Sequence, residues 1–205
     1  MLDNRGFDLW ADGYDLAVGL SDEENTYPFA GYKEILGSIF QTIMEKPGAV
    51  VLDVGFGTGT LTTKLFENGC TVYGQDFSKR MIELASEKMP DSHLYQGDFS
   101  QGLVEALQSR SYDFIVATYS LHHLTDDQKV RFLQSLLERL NEDGKILIGD
   151  VAFRTRTDLE QCQRDVGEEW DDEEIYFVID EMRQSFPNLI YQPVSYCAGI
   201  LTLSR

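Results

Sequence analysis

The chain has 205 residues, of which 42% are apolar, and this is enough for one sizeable hydrophobic core and one domain. Lysine and arginine total 17 against 35 aspartate and glutamate residues, so the net charge is -18. Because affinity for nucleic acids and anionic membranes comes largely from cationic side chains, this charge argues against both partners. It favours a small molecule or a positively charged surface.

The sequence predicts a cytoplasmic protein. Its first residues lack the basic-then-apolar layout of a signal peptide, and no apolar run approaches the length of a membrane span. Cys70, Cys162 and Cys197 lie far apart without a CxxC pair, which predicts small buried residues and neither a disulfide framework nor a thiolate metal site. The sequence does not indicate an oligomeric state.

Helical and strand patterns alternate from residue 27 to residue 150. Apolar residues at helical spacing predict a helix at 27–44, ended by Pro47-Gly48. In chain order there follow a strand at 49–54, a glycine loop, a helix that stops at Asn68-Gly69, a strand at 70–75, a helix from Ser78 to about Lys88 and a strand at 93–96. A weak helix at 102–108, a continuous apolar strand at 112–118, a helix capped by Thr125 or Asp126 and a strand at 145–150 complete the pattern.

This alternation indicates an α/β fold. Strands separated by helices form right-handed parallel crossovers, and the open sheet lies between two layers of helices. Residues 154–184 have a helical pattern interrupted near Gly167, and 189–194 and 195–203 read as two antiparallel strands. We expect a single domain over 1–205, with N-terminal cap helices at 1–46 and a helical insertion at 154–185 before the last two strands.

The stretch "VVLDVGFGTG", from Val50 to Gly59, places three glycines directly after the first strand. In open α/β sheets ligands bind beyond the carboxyl ends of the strands, and glycines let a ligand approach the backbone closely. A dinucleotide site has the spacing G-x-G-x-x-G, whereas Thr60 occupies the position of the last glycine here. The segment also has no Lys or Arg before Lys64, and Asp53 lies at the strand end. These features favour a ligand with an amine and no phosphate.

Four further motifs agree with "VLDVGFGTG" in resembling class I S-adenosylmethionine-dependent methyltransferases. They are "LWADGYD" near the N-terminus, "TVYGQD", which ends in Asp76, "QGDF" after the third strand and "SLHHLTDD" after the fourth. The resemblance implies a three-layer Rossmann-like fold. Its mostly parallel seven-stranded sheet has the order 3-2-1-4-5-7-6 and an antiparallel last strand.

The resemblance also implies the roles of individual residues. Asp76 holds the ribose hydroxyls of S-adenosylmethionine, Asp98 accepts a hydrogen bond from the adenine amino group, and Tyr14 folds over the donor. The expected donor-binding residues are Tyr14, Asp53, Gly55, Phe56, Gly57, Gly59, Asp76, Phe77, Gly97, Asp98, Phe99, Thr118 and Ser120. S-adenosylhomocysteine is the expected product.

Residues 118–123 are expected to line the methyl-transfer site. His123, with Tyr14, is the candidate for substrate positioning or proton removal, and His122 is a second candidate. We expect no metal site there, because no third ligand stands at suitable spacing. The acidic stretch "EEWDDEE", Glu168 to Glu174, reads either as a solvated face or as a lid that attracts a cationic substrate.

The expected function is methyl transfer to a small-molecule acceptor that the sequence does not identify. The segments "GYKEIL", "HHLTDDQK" and "GKILIGDVAF" are most similar to a small bacterial subfamily associated with recycling sulfur from methionine to cysteine. Two alternatives remain open. One is a protein that binds S-adenosylmethionine or its demethylated product without catalysis, and the other is a nicotinamide-dependent oxidoreductase.

Overall fold

An eight-stranded sheet forms the centre of the structure, a computed structural model that describes residues 25–205. Its strands are β1 Val50–Val54, β2 Thr71–Asp76, β3 His93–Gln96, β4 Tyr112–Thr118, β5 Leu140–Phe153, β6 Phe177–Val178, β7 Ile190–Pro193 and β8 Ala198–Ser204. The order is β3-β2-β1-β4-β5-β8-β7, and β6 pairs with β5 off this path. Tyr14 and the rest of residues 1–24 lie outside the described residues.

The α/β class and the mostly parallel sheet are confirmed. Strands β1 to β5 pair in parallel, whereas β8 is antiparallel to both β5 and β7. The expected order 3-2-1-4-5-7-6 differs only because β6, which the sequence pattern did not predict, precedes the last two strands.

Helices cover both faces of the sheet. They are α1 Tyr32–Met44, α2 Thr60–Glu67, α3 Lys79–Lys88, α4 Glu105–Gln108, α5 Asp126–Leu137, α6 Arg156–Val166 and α7 Ile179–Met182. Successive strand residues point to opposite faces, so Val51 joins the hydrophobic cluster under α1 while Leu52 joins the cluster under α5. Burial on both faces explains why β1 and β4 have nearly continuous apolar sequences.

Two predicted helix caps are confirmed. The Ser78 side chain accepts a hydrogen bond from the backbone N–H of Met81, and Thr125 forms a capping box with Gln128 at the start of α5. These caps fix where each chain segment leaves the sheet edge and enters a helix.

Other boundaries differ from the predictions. The first described helix begins at Tyr32 and not at residue 27. Strand β5 begins at Leu140, and its register with β4 shifts before Lys145, so the expected turn at Asp143-Gly144 is an irregularity within a strand. The 154–185 segment is only partly helical, because Phe177–Val178 pairs with the end of β5.

All three cysteines are buried and free, as the sequence predicts. Among residues 25–205, no helix has both the length and the apolar character needed to cross a bilayer.

Candidate active site

A cavity of about 510 Å³ opens at the carboxyl ends of β1, β2, β3 and β4. Ten of the residues expected at the site line it: Gly55, Phe56, Gly57, Asp76, Phe77, Asp98, Phe99, Thr118, Ser120 and His123. Asp53, Gly59 and Gly97 do not line the cavity, and Tyr14 lies outside the described residues. The parallel sheet therefore brings four separate sequence motifs to one place.

The glycine loop has two positions with different reasons for lacking a side chain. Gly55 and Gly57 both have left-handed φ angles, 72° and 56°. A Cβ on Gly55 would lie 2.4 Å from the Cβ of Ser120, so this glycine allows the loop after β4 to approach. A Cβ on Gly57 would meet no atom within 4 Å, so its bare main chain faces open space in the cavity.

Asp76 connects the end of β2 to the glycine loop. Its Oδ2 accepts a hydrogen bond of 2.8 Å from the backbone N–H of Gly57, and its Oδ1 accepts one of 2.8 Å from the N–H of Ser78. The carboxylate is thereby held in one orientation at the cavity wall. A fixed acid in this position suits recognition of vicinal hydroxyl groups.

Asp53, unlike Asp76, is buried beneath the glycine loop and bonds to the helix that follows it. Its Oδ2 accepts a 2.5 Å hydrogen bond from the hydroxyl of Thr62, while its Oδ1 has no partner among residues 25–205. Burial raises the pKa of Asp53 to about 7; the Thr62 hydrogen bond lowers it, and the charge of Asp76 raises it further. Asp53 does not line the cavity, so it does not directly contact a ligand bound there.

The "QGDF" motif lies on the other side of the cavity. Asp98 caps a short 3₁₀ helix, Phe99–Gln101, through a 2.8 Å hydrogen bond to its Oδ1 from the N–H of Ser100. Phe99 is buried and stacks on Phe132 with ring centroids 6.1 Å apart. Gly97 is required by packing, because a Cβ there would lie 2.5 Å from a methyl of Val104.

The histidine loop contributes a second group of polar side chains. His122 is buried, with its Nδ1 2.7 Å from Oδ1 of Asp150 and its Nε2 3.4 Å from Oε1 of Glu174. Burial lowers the pKa of His122, but the charge and hydrogen bond of Asp150 outweigh it and the net shift is upward. For His123, burial and the neighbouring His122 lower the pKa to about 3. His123 is therefore a weak base for the proton removal suggested from the sequence.

The acidic stretch is partly a cavity wall. Asp171, Glu173 and Glu174 line the cavity, whereas Glu168 and Glu169 are exposed and do not. Trp170 stacks on Tyr27 with ring centroids 5.1 Å apart and anchors the stretch to the body of the protein. No Lys or Arg occurs among the described lining residues, so this cavity favours a positively charged occupant.

Sequence reasoning missed two residues of the histidine cluster. Asp150 ends "KILIGD" and Glu174 lies in the acidic stretch, and neither has a local pattern that connects it with His122. The pairing of β6 with β5 and a 2.8 Å hydrogen bond from the N–H of Ile175 to the carbonyl of His122 bring them together. Arg156, at the start of the following helix, is exposed and forms a bidentate ion pair with Glu181.

Comparisons with known proteins agree with this architecture. A family model described as a methyltransferase domain matches residues 51–144. An uncharacterised methyltransferase of Geobacillus sp. (strain WCH70) is 44% identical over 151 residues, which are 73% of this chain and 68% of that protein.

Two solved structures have the same fold at low identity. The complex of DhpI with S-adenosylhomocysteine has a TM-score of 0.71 at 17% identity and covers 98% of this chain and 93% of its own. Magnesium protoporphyrin IX methyltransferase from Synechocystis PCC 6803, with bound S-adenosylhomocysteine, has a TM-score of 0.65 at 18% identity and covers 84% and 82%. Together with the relative that is 44% identical, these findings establish that the chain belongs to the class I S-adenosylmethionine-dependent methyltransferases, which use S-adenosylmethionine as donor and release S-adenosylhomocysteine.

Proposed function

We propose that this enzyme transfers the methyl group of S-adenosylmethionine to a small-molecule acceptor bound in the same cavity. The observation that carries the proposal is the bare main chain of Gly57, which opens onto the cavity and is tied by its N–H to Asp76. The cavity volume of about 510 Å³ lies within the range of small-molecule sites, about 300–1,000 Å³.

The residues fit this donor better than a dinucleotide. The donor carries a sulfonium and an amine and no phosphate, and the described cavity lining is acidic without a Lys or Arg. In our proposal Gly55 and Gly57 contact the methionine part and ribose, Asp76 binds the ribose hydroxyls, and Asp98 binds the adenine amino group. Phe77 and Phe99 flank the ring, and Tyr14 contributes from outside the described residues.

When bound, S-adenosylmethionine supplies a methyl group on an already activated leaving group. The protein must therefore hold the acceptor in line and exclude water, since positioning accounts for most of the acceleration in such a step. His122 is suited to positioning, because Asp150 fixes its ring through the 2.7 Å contact with Nδ1. His123 contributes as a polar wall of the cavity and not as a strong base.

The identity of the acceptor is the finer part of the proposal. By their names, the structural neighbours include an enzyme that acts on magnesium protoporphyrin IX, and that acceptor is not transferred to this chain. An association with sulfur amino-acid recycling stays a prediction from the subfamily resemblance. Acidic walls formed by Asp171, Glu173 and Glu174 favour an acceptor without a negative charge.

Methyl transfer can be tested with a donor labelled in its methyl group and an extract of cell metabolites. We expect the label to appear in a small molecule and S-adenosylhomocysteine to accumulate. Retained donor binding with no labelled product would support the alternative of a non-catalytic binding protein. Failure of the purified protein to bind S-adenosylhomocysteine would refute the proposed function.

A further inference from the structure

Three potential metal ligands meet at one wall of the cavity. His122, His123 and Glu174 each offer one ligand atom, and these atoms lie within 4.8 Å of one another. All three residues line the cavity, so an ion has an open path to them. The absence of a metal was expected from the sequence because no third ligand stands near the two histidines, but Glu174 reaches them from a distant segment.

Two ligand atoms of the cluster are separated by the distance that ligand atoms have around a bound metal ion. Metal–ligand distances of about 2.0–2.2 Å in a tetrahedral site place neighbouring ligand atoms about 3.3–3.6 Å apart. Nε2 of His122 and Oε1 of Glu174 are separated by 3.4 Å. The ring of His123 completes the cluster, because its ligand atom lies within 4.8 Å of the other two.

Two further residues orient the ligands as supporting residues of metal sites do. Asp150 is fully buried and contacts Nδ1 of His122 at 2.7 Å, which directs Nε2 towards Glu174. Metal-binding histidines usually make such a contact between their second nitrogen and a carboxylate. The hydroxyl of Tyr176 donates a 2.7 Å hydrogen bond to Oε2 of Glu174, and this leaves Oε1 facing the histidine.

We propose that His122, His123 and Glu174 form a binding site for a divalent first-row transition metal, best matched by Zn²⁺. Two imidazole nitrogens and one carboxylate oxygen are a typical ligand set for such ions, with a fourth position left open. The open position faces the cavity, where it can take a water molecule or a hydroxyl or thiol group of the acceptor. The contact of the metal with the acceptor rests on the proposed function, whereas the binding of the metal itself does not.

The test compares two neighbouring acids in the same cavity. Glu174→Gln removes a ligand, and Glu173→Gln makes the same change in charge at an exposed position outside the cluster. His123→Asn removes a second ligand. Each 205-residue protein is freed of metal with a chelator and titrated with Zn²⁺ against a chromophoric competitor. Co²⁺ is added to a second sample to record its visible spectrum.

We expect the unaltered protein to bind one Zn²⁺ and to give Co²⁺ bands typical of tetrahedral coordination by nitrogen and oxygen. Glu174→Gln and His123→Asn should each weaken Zn²⁺ binding at least about 10-fold, since even supporting residues have effects of that size. Glu173→Gln should change it by less than about fivefold, as an exposed charge does. Thermal denaturation and binding of S-adenosylhomocysteine show whether each variant is folded.

Several results would overturn the metal site. One is the absence of stoichiometric Zn²⁺ binding by the unaltered protein. Another is an equal loss of affinity in Glu173→Gln and Glu174→Gln, which would indicate diffuse attraction by acidic groups. Zn²⁺ binding without methyl transfer would uphold the site and count only against the proposed function.

Discussion

Replacing Asp53 with asparagine should change the pH dependence of stability. Asp53 is 1% exposed, and its Oδ1 has no hydrogen-bond partner among the described residues. Burial raises its pKa to about 7 in the folded protein, against about 3.9 in an unfolded chain. Between these values the unfolded state releases a proton that the folded state retains, so stability falls as the pH rises.

The magnitude follows from the two pKa values. Each unit of pKa difference corresponds to about 1.36 kcal/mol, so ionisation of Asp53 costs roughly 4 kcal/mol of unfolding free energy well above pH 7. Below about pH 4 both states are protonated and the cost is absent. Between pH 5 and pH 8 the penalty grows by about 2–3 kcal/mol. The asparagine side chain of the Asp53→Asn variant cannot ionise, and its carbonyl oxygen can still accept the hydrogen bond from Thr62.

The assay is urea denaturation of the ligand-free protein and of Asp53→Asn at a series of pH values from 5 to 8. The stability of the variant relative to the unaltered protein should rise by the stated 2–3 kcal/mol over this interval. Asp91→Asn, at an exposed position, controls for the loss of one negative charge. A difference between Asp53→Asn and the unaltered protein that stays constant across the pH series would refute the reasoning.

The other predictions concern the donor site. Asp76→Ala should weaken binding of S-adenosylhomocysteine by roughly 1.5–3 kcal/mol, the range for hydrogen bonds that involve a charged group. If calorimetric titration finds an unchanged affinity, Asp76 does not belong to the site. Gly57→Ala should fold with a cost of about 1–2 kcal/mol for its left-handed backbone but lose donor affinity, because the added methyl enters open space in the cavity. Gly55→Ala should be destabilised far more, because its Cβ would lie 2.4 Å from that of Ser120. Thermal denaturation distinguishes the two glycine variants, and equal melting temperatures would contradict this account. Addition of NADH should give no binding signal, and a saturable one would favour the oxidoreductase alternative.

The amino-acid sequence was sufficient to predict the parallel strands of the sheet and the residues on the donor side of the cavity. Strand and helix periods are local properties, and parallel strands bring their carboxyl ends to one edge whatever the loops contain. Gly57, Asp76 and Asp98 each lie close after a predicted strand, so their convergence needs only the strand order. The helix caps at Ser78 and Thr125 could also be predicted from the sequence, because capping depends on residues three positions apart.

On the other side of the cavity, the polar side chains that meet could be identified only from the folded chain. His122, Asp150 and Glu174 belong to three separate segments, and their contacts depend on the pairing of β6 with β5. Asp53 was expected among the donor-binding residues, but it is buried beside Thr62 and does not line the cavity. Such contacts come from packing between distant segments, which has no periodic signature in the sequence.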